Sequence, residues 1–129
     1  MEFITLHSVI FIFSVIFALI VLWQIIPPRG VEQITVDKLL ELLAEKNDTY
    51  QFIDIRSPEK FERLHVYGFR NIPLNDLKKE IGTLSKDKKV VVICQRGIYG
   101  NEACRILKRR GFSDLANVRG GVVSWEPHD

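Results

Sequence analysis

Apolar positions in this sequence follow three different patterns along the chain, and each predicts a different kind of element. From Phe3 to Pro28 there is no Asp, Glu, Lys or Arg, and Ser8 to Ile26 reads SVIFIFSVIFALIVLWQII. As a helix, nineteen residues span roughly 28 Å, about the thickness of a bilayer core. Fourteen of them are Phe, Ile, Leu or Val, which favours insertion by about 4–8 kcal/mol, a gain that Ser14 and Gln24 reduce without reversing. The pattern predicts a transmembrane helix over 8–26, inside an N-terminal anchor and linker covering 1–30. A cleaved signal peptide is the rival reading. It calls for a basic start, a shorter apolar run and small residues at a cleavage site, and this segment has none of them.

Pro27-Pro28-Arg29-Gly30 ends the apolar helix, because proline cannot continue a helix and pushes the preceding residue out of the α region. A folded domain is expected over 31–129. Val36, Leu39, Leu40 and Leu43 recur at i, i+3, i+4 and i+7, the stripe of an amphipathic helix with Thr35 as its N-cap. Gln51–Ile55 and Lys89–Cys94 are short runs rich in β-branched residues. The second, KVVVIC, does not alternate, as befits a parallel strand buried on both faces. Ser57-Pro58-Glu59 is a helix start, Asn75-Asp76 another that leads into Leu77–Leu84. A third helix is expected from Gly100 to Arg110, with Ala103, Ile106 and Leu107 inward and Gly111 at its end. Strands alternating with helices at this spacing predict one α/β domain with a mostly parallel sheet.

Charge and cysteine content narrow the function. The formal net charge is +2, with all 18 Lys and Arg at or after position 29, too mild and dispersed for a nucleic-acid partner. Arg29, Lys38 and Lys46 follow the apolar span and no Lys or Arg precedes it, so the domain is expected to face the cytoplasm from a single-pass cell-membrane anchor. The two cysteines, Cys94 and Cys104, fit reduced thiols in that compartment. His7 belongs to the apolar segment, and His65 and His128 have no Cys or His at ligand spacing, so no metal and no cofactor is expected.

The chemically informative stretch is KVVVICQRGIYGNEACRIL. A buried strand ends in Cys94, a six-residue loop of Gln95, Arg96, Gly97, Ile98, Tyr99 and Gly100 follows, and then a helix begins. At the carboxyl end of a central strand, such a cysteine faces loop N–H groups and the positive end of a helix dipole. Those groups stabilise a thiolate and lower the pKa of its thiol, and they serve a persulfide anion equally well. Arg96 adds positive charge, and Gly97 lets the backbone turn through φ > 0. The competing reading of Cys94 is an inert buried thiol. Cys104 reads as packing, with a resolving thiol as the sharper alternative, and His65 reads as packing rather than a general base.

These residues resemble the rhodanese family. Phe52 to Phe61, FIDIRSPEKF, resembles its D-x-R-x-x-x-E/F opening, and HVYGFRNIP from His65 to Pro73 resembles its G-H-I-x-G-A-x-N-I-P segment. Cys94-Gln95-Arg96-Gly97 resembles the C-x-x-G start of its catalytic loop, and VRGGVVSW from Val118 to Trp125 its closing L-x-G-G-x-x-x-W. The four motifs run in order from Val31 to Pro127. The resemblance implies a central five-stranded, mostly parallel sheet flanked by helices, and transfer of a sulfane sulfur through a Cys94 persulfide. The donor is thiosulfate or a persulfide, small or protein-borne, and the acceptor a thiophile such as cyanide or a thiol. It also implies a structural link between Asp54 and Arg56 beneath the site. Two departures stand out: Leu64 replaces the usual Gly before His65, and Tyr99 replaces an Arg that binds anionic donors, for which Arg96 is the expected substitute. Phosphatases of this fold use C-x5-R, and Gly100 stands where that Arg belongs. Beside the enzyme reading stand a non-catalytic, membrane-tethered docking or regulatory module and a redox protein pairing Cys94 with Cys104.

Overall fold

The computed structural model describes residues 2–45 and 48–126; Lys46, counted with the basic flank, and Pro127 and His128 lie outside the described residues. The apolar segment forms one 24-residue helix, α1 (Glu2–Ile25), none of it buried. It begins at Glu2, six residues before the predicted span, and its polar side chains turn inward on their own helix. The Ser8 and Ser14 hydroxyls donate to Ile4 O and Ile10 O, each one turn back. By length and composition α1 is long and apolar enough to cross a membrane.

After the Pro-Pro break the chain alternates: β1 (Val31–Ile34), α2 (Val36–Ala44), β2 (Tyr50–Asp54), α3 (Pro58–Arg63), β3 (Arg70–Asn71), α4 (Leu77–Glu80), β4 (Lys89–Ile93), α5 (Ile98–Arg109), β5 (Leu115–Val118) and α6 (Gly121–Trp125). The strands form one sheet in the order β1-β5-β4-β2-β3, every pair parallel. β4 is central, and Val90 through Ile93 are fully buried, which is why KVVVI lacks the alternation of a one-sided strand. Val90 and Val92 join Leu107, Cys104 and Phe112 in a core beneath α5, while Val91 and Ile93 join Leu39, Leu42 and Val122 in a second core beneath α2 and α6.

The helix starts follow their caps. Thr35 accepts from Lys38 N at 3.2 Å, and Ser57 accepts from Lys60 N at 3.4 Å with Pro58 in the first turn. Three expectations need correction. In α2 the buried face is centred on Leu39 and Leu42, and Leu40 is 48% exposed. The helix expected over Leu77–Leu84 is broken into a 3-10 turn (Leu74–Asp76), α4 and a second 3-10 turn (Ile81–Thr83). Asp76 makes no capping bond, Gly82 weakens the helix interior, and the Thr83 hydroxyl closes the last turn on Glu80 O at 2.6 Å. Finally, α5 begins at Ile98 rather than Gly100, so the turn after Cys94 is three residues long and Ile98, Tyr99 and Gly100 form the first turn of the helix.

Candidate active site

In an all-parallel sheet the strand carboxyl ends and helix N-termini meet along one edge. Cys94 lies there, one residue beyond β4. Its Sγ accepts from Gly97 N at 2.9 Å and from Gly100 N at 3.2 Å. Gly97 initiates α5 at φ +92°, a conformation costly for other residues, and a Cβ there would come within 2.8 Å of Gly120 N. The backbone of Cys94 is held from the opposite side: Val122 N donates to Cys94 O at 2.9 Å and Val123 N to Gln95 O at 3.1 Å. That approach demands Gly121, at φ +62°, because a Cβ would strike Cys94 O. The closing G-G sequence is therefore a structural part of the thiol loop.

A buried amide braces the loop from below. Asn117, on β5, donates from Nδ2 to Gly97 O at 2.9 Å and contacts Asn101 Oδ1 and Gln33 Oε1, both at 3.1 Å. Its Oδ1 has no hydrogen-bond partner among the described residues and occupies the space where a Gly100 side chain would begin. Nothing in the strand pattern singled out Asn117; a polar residue inside LANV was the available signal.

Asp54, at the end of β2, and Arg56 are both buried and paired. Arg56 Nε lies 3.1 Å from each carboxylate oxygen of Asp54, and its terminal nitrogens donate to Asp54 Oδ2 at 2.9 Å, Leu64 O at 2.6 Å and Gln95 Oε1 at 3.2 Å. One guanidinium thus ties β2, the end of α3 and the thiol loop together. Leu64 sits at φ −163°, extended backbone open to any residue, so its replacement of glycine brings no strain. His65 stacks on Phe61 at 3.8 Å between ring centroids, with Nδ1 2.6 Å from Phe61 O. Among the described residues no cluster of three or more His, Cys, Asp or Glu is gathered to hold a metal.

Above Cys94 opens a cavity of about 260 Å³ lined by Ile55, Arg56, Ser57, Lys60, Leu74, Cys94, Gln95 and Tyr99. The cation at this opening that is not committed to Asp54 is Lys60, which the sequence reading passed over. Its position was implied by the cap at Ser57, since α3 begins at the same sheet edge as α5. Arg96, expected to serve an anionic donor, lines a separate hollow with Arg119, Ile25 and Pro27. Ile98 and Tyr99 are exposed on the rim, while Gly97 and Gly100 are buried beneath it.

The expected lowering of the Cys94 pKa is also corrected. Burial raises it above the ordinary thiol value and outweighs the opposing backbone N–H groups of Gly100, Gly97, Arg96 and Tyr99. Cys104 is pushed up to about 12 by burial and by the nearby Cys94. Its Sγ lies 3.9 Å from Ala116 O inside the core, which suits packing and not a resolving thiol.

The family model for the rhodanese-like domain matches residues 35–128. An uncharacterized protein of Bacillus subtilis, YqhL, is 37% identical over 75 residues, 58% of this chain and 60% of that protein. The thiosulfate sulfurtransferase GlpE of Shewanella oneidensis is 30% identical over 94 residues, 73% of this chain and 91% of that protein. A crystal structure of a rhodanese-like domain protein from Staphylococcus aureus superposes with a TM-score of 0.69 at 22% identity, over 76% of this chain and 94% of that one.

Two measurements probe this arrangement. Asp54→Ala strands a buried guanidinium and is expected to lower the unfolding free energy of the full chain in detergent by about 3–5 kcal/mol in urea titrations, the cost of breaking a buried pair from one side. Because the Cys94 pKa is raised, its thiolate fraction at neutral pH falls below that of a free cysteine. Iodoacetamide alkylation of Cys94 is therefore expected to keep accelerating as pH rises beyond the ordinary thiol range, with Cys104 unlabelled in the same peptide maps.

Proposed function

The chain belongs to the rhodanese-like domain family, and from that premise we propose that it is a sulfurtransferase in which Cys94 carries a sulfane sulfur as a persulfide. The observation that carries the reading is the pair of backbone N–H groups, from Gly97 and Gly100, aimed at Cys94 Sγ on the floor of a cavity with Lys60 at its mouth.

In the first half-reaction the Cys94 thiol loses its proton and the thiolate attacks the outer sulfur of thiosulfate or of a persulfide. A new S–S bond forms, the donor S–S bond breaks, and sulfite or a thiolate leaves with the bonding pair. In the second, an acceptor such as cyanide or a thiolate attacks the outer sulfur of Cys94–S–S⁻ and returns Cys94 as a thiolate. Electrons balance without a redox cofactor. Burial disfavours the resting thiolate, so deprotonation adds to the first barrier. Once loaded, the negative charge moves outward by one sulfur, toward the cavity and Lys60. Gln95 and Tyr99 shape the entrance, Arg96 contributes its backbone N–H, and Asp54 and Arg56 hold the loop without taking part in chemistry. The apolar, unburied α1 would anchor the domain in the cell membrane, and the basic residues that follow it would place that domain on the cytoplasmic side.

Intact-mass measurement of the full chain in detergent tests the reading. After thiosulfate or a low-molecular-weight persulfide, the protein is expected to gain the mass of one sulfur atom and to lose it on adding cyanide. Cys94→Ser is expected to gain nothing. No adduct on the unsubstituted chain with either donor would leave a docking module as the better reading. In steady-state assays, Lys60→Ala is expected to raise the KM for thiosulfate more than it lowers kcat, the signature of lost ground-state binding. The same split in Arg96→Ala alone would place the anion on the other side of the loop.

A further inference from the structure

The end of α1 is clamped to the domain. Arg105, on α5, donates to Trp23 O at 3.0 Å and Ile26 O at 2.6 Å, and its guanidinium carbon lies 4.6 Å from the centroid of the Trp23 ring. One turn further on, Lys108 donates to Arg29 O. Side-chain carbonyl capping of this kind satisfies groups that a helix end otherwise leaves open.

The clamp also sets a direction. α5 runs down from the Cys94 loop, and the linker runs beside it in the same direction. Gln24 lies with Ile98, Tyr99 and Glu102, then Ile26 reaches Arg105, Arg29 reaches Lys108, and Val31 opens β1 at the far end of the sheet. The helix that precedes Gln24 therefore leaves the domain at the edge where the strands end and Cys94 lies. At that edge a hollow of about 520 Å³ is walled by Ile25 and Pro27 on one side and by Arg96, Ile98 and Arg119 on the other.

The rim at this junction has the composition of a bilayer interface. Trp23 is 56% exposed, Ile98 48% and Tyr99 68%, and aromatic residues concentrate where one end is apolar and the other wet. Arg96 and Arg119 stand beside them; of the neighbouring carboxylates, Glu102 is paired with Arg105 at 3.4 Å, and Asp37 lines a surface hollow with Arg119. With Glu102 paired, two exposed arginines against Asp37 leave the rim net positive.

We propose that the rim formed by Arg96, Ile98, Tyr99 and Arg119 rests on an anionic phospholipid bilayer, with Ile98 and Tyr99 at headgroup level and the two arginines on lipid phosphates, so that the Cys94 cavity opens along the membrane surface. The proposal depends on α1 spanning the membrane. It assigns to Tyr99 a surface role in place of donor binding, and it restricts Cys94 to donors and acceptors that reach the membrane plane.

The test uses the full chain with methyl-labelled isoleucine in nanodiscs of phosphatidylcholine and phosphatidylglycerol that contain a gadolinium-chelating lipid. The Ile98 methyl signal is expected to broaden several-fold more than that of Ile81, four residues ahead of Ser85, which pairs with Gln51 near the start of β2. In Arg105→Ala, still inserted in discs, the difference is expected to shrink. A chain that does not copurify with the discs would overturn the membrane reading of α1. An inserted chain whose Ile98 broadens no more than Ile81 would overturn this proposal alone and leave the rim to a protein partner. Undiminished broadening in Arg105→Ala would remove the clamp from the argument.

Discussion

The guanidinium of Arg56 is the constraint on which the site depends. Taking a charge out of water is costly unless its partner and all its donors are matched. Arg56 meets that demand by using its nitrogens on Asp54, Leu64 O and Gln95 Oε1. Each acceptor belongs to a different part of the fold: the end of β2, the end of α3 and the turn that follows Cys94. A shift in any of them leaves part of the guanidinium unpaired, so the position of the thiol loop is fixed by the same free energy that fixes the sheet edge. A lysine could not make this connection, because its point charge lacks the planar fork that addresses three acceptors at set angles.

Above that anchor, two opposing effects act on Cys94. Burial disfavours the thiolate, and the first turn of α5 supplies N–H groups that favour it; burial wins. The balance is understandable if the N–H groups are arranged for charge on a sulfur further out. On the proposed reading, an outer persulfide sulfur would stand nearer solvent and Lys60 with a smaller desolvation, while the glycine-built turn would still offer donors. The requirement for two glycines follows from the same geometry: Gly97 is pressed against the backbone of Gly120 and Gly121 against that of Cys94 and Gln95, with no room for a side chain in either place.

Local chemistry made much of the fold legible. Thr35 and Ser57 announce their helices, Pro27-Pro28 ends α1, and the unbroken apolar run of KVVVI marks a central parallel strand. Elements whose identity depends on distant residues were not legible. The first turn of α5 reads as loop because Gly97 replaces the usual Ser, Thr, Asp or Asn cap and because Ile98, Tyr99 and Gly100 suggest no apolar stripe. β5 carries a buried Asn117 whose partners lie on β1 and α5, and a polar residue in a four-residue strand weakens its pattern. At the site, the sequence supplied Cys94 and its donors but not the depth of burial that reverses the pKa shift. It also pointed to Arg96 as the anion-binding cation, whereas Lys60, on the other side of the loop, became visible only in the structure.

That separation of cations bears on how, on the readings proposed above, one small domain would serve two kinds of anion. A rim arginine at the position of Tyr99 would face both the cavity and the surface, and a phosphate outside would compete with a donor inside. Here Tyr99 lies between the two, lining the cavity on one face and the groove beside Gln24 on the other. Lys60 approaches the cavity from α3, whereas Arg96 and Arg119 gather beside the end of α1. On the reading proposed above, lipid phosphates occupy the arginines without shielding the lysine. The two cationic groups line different hollows, with Tyr99 on the wall of the one that holds Lys60. On that reading, a tyrosine in place of the family's donor-binding arginine suits a rim brought against a charged surface.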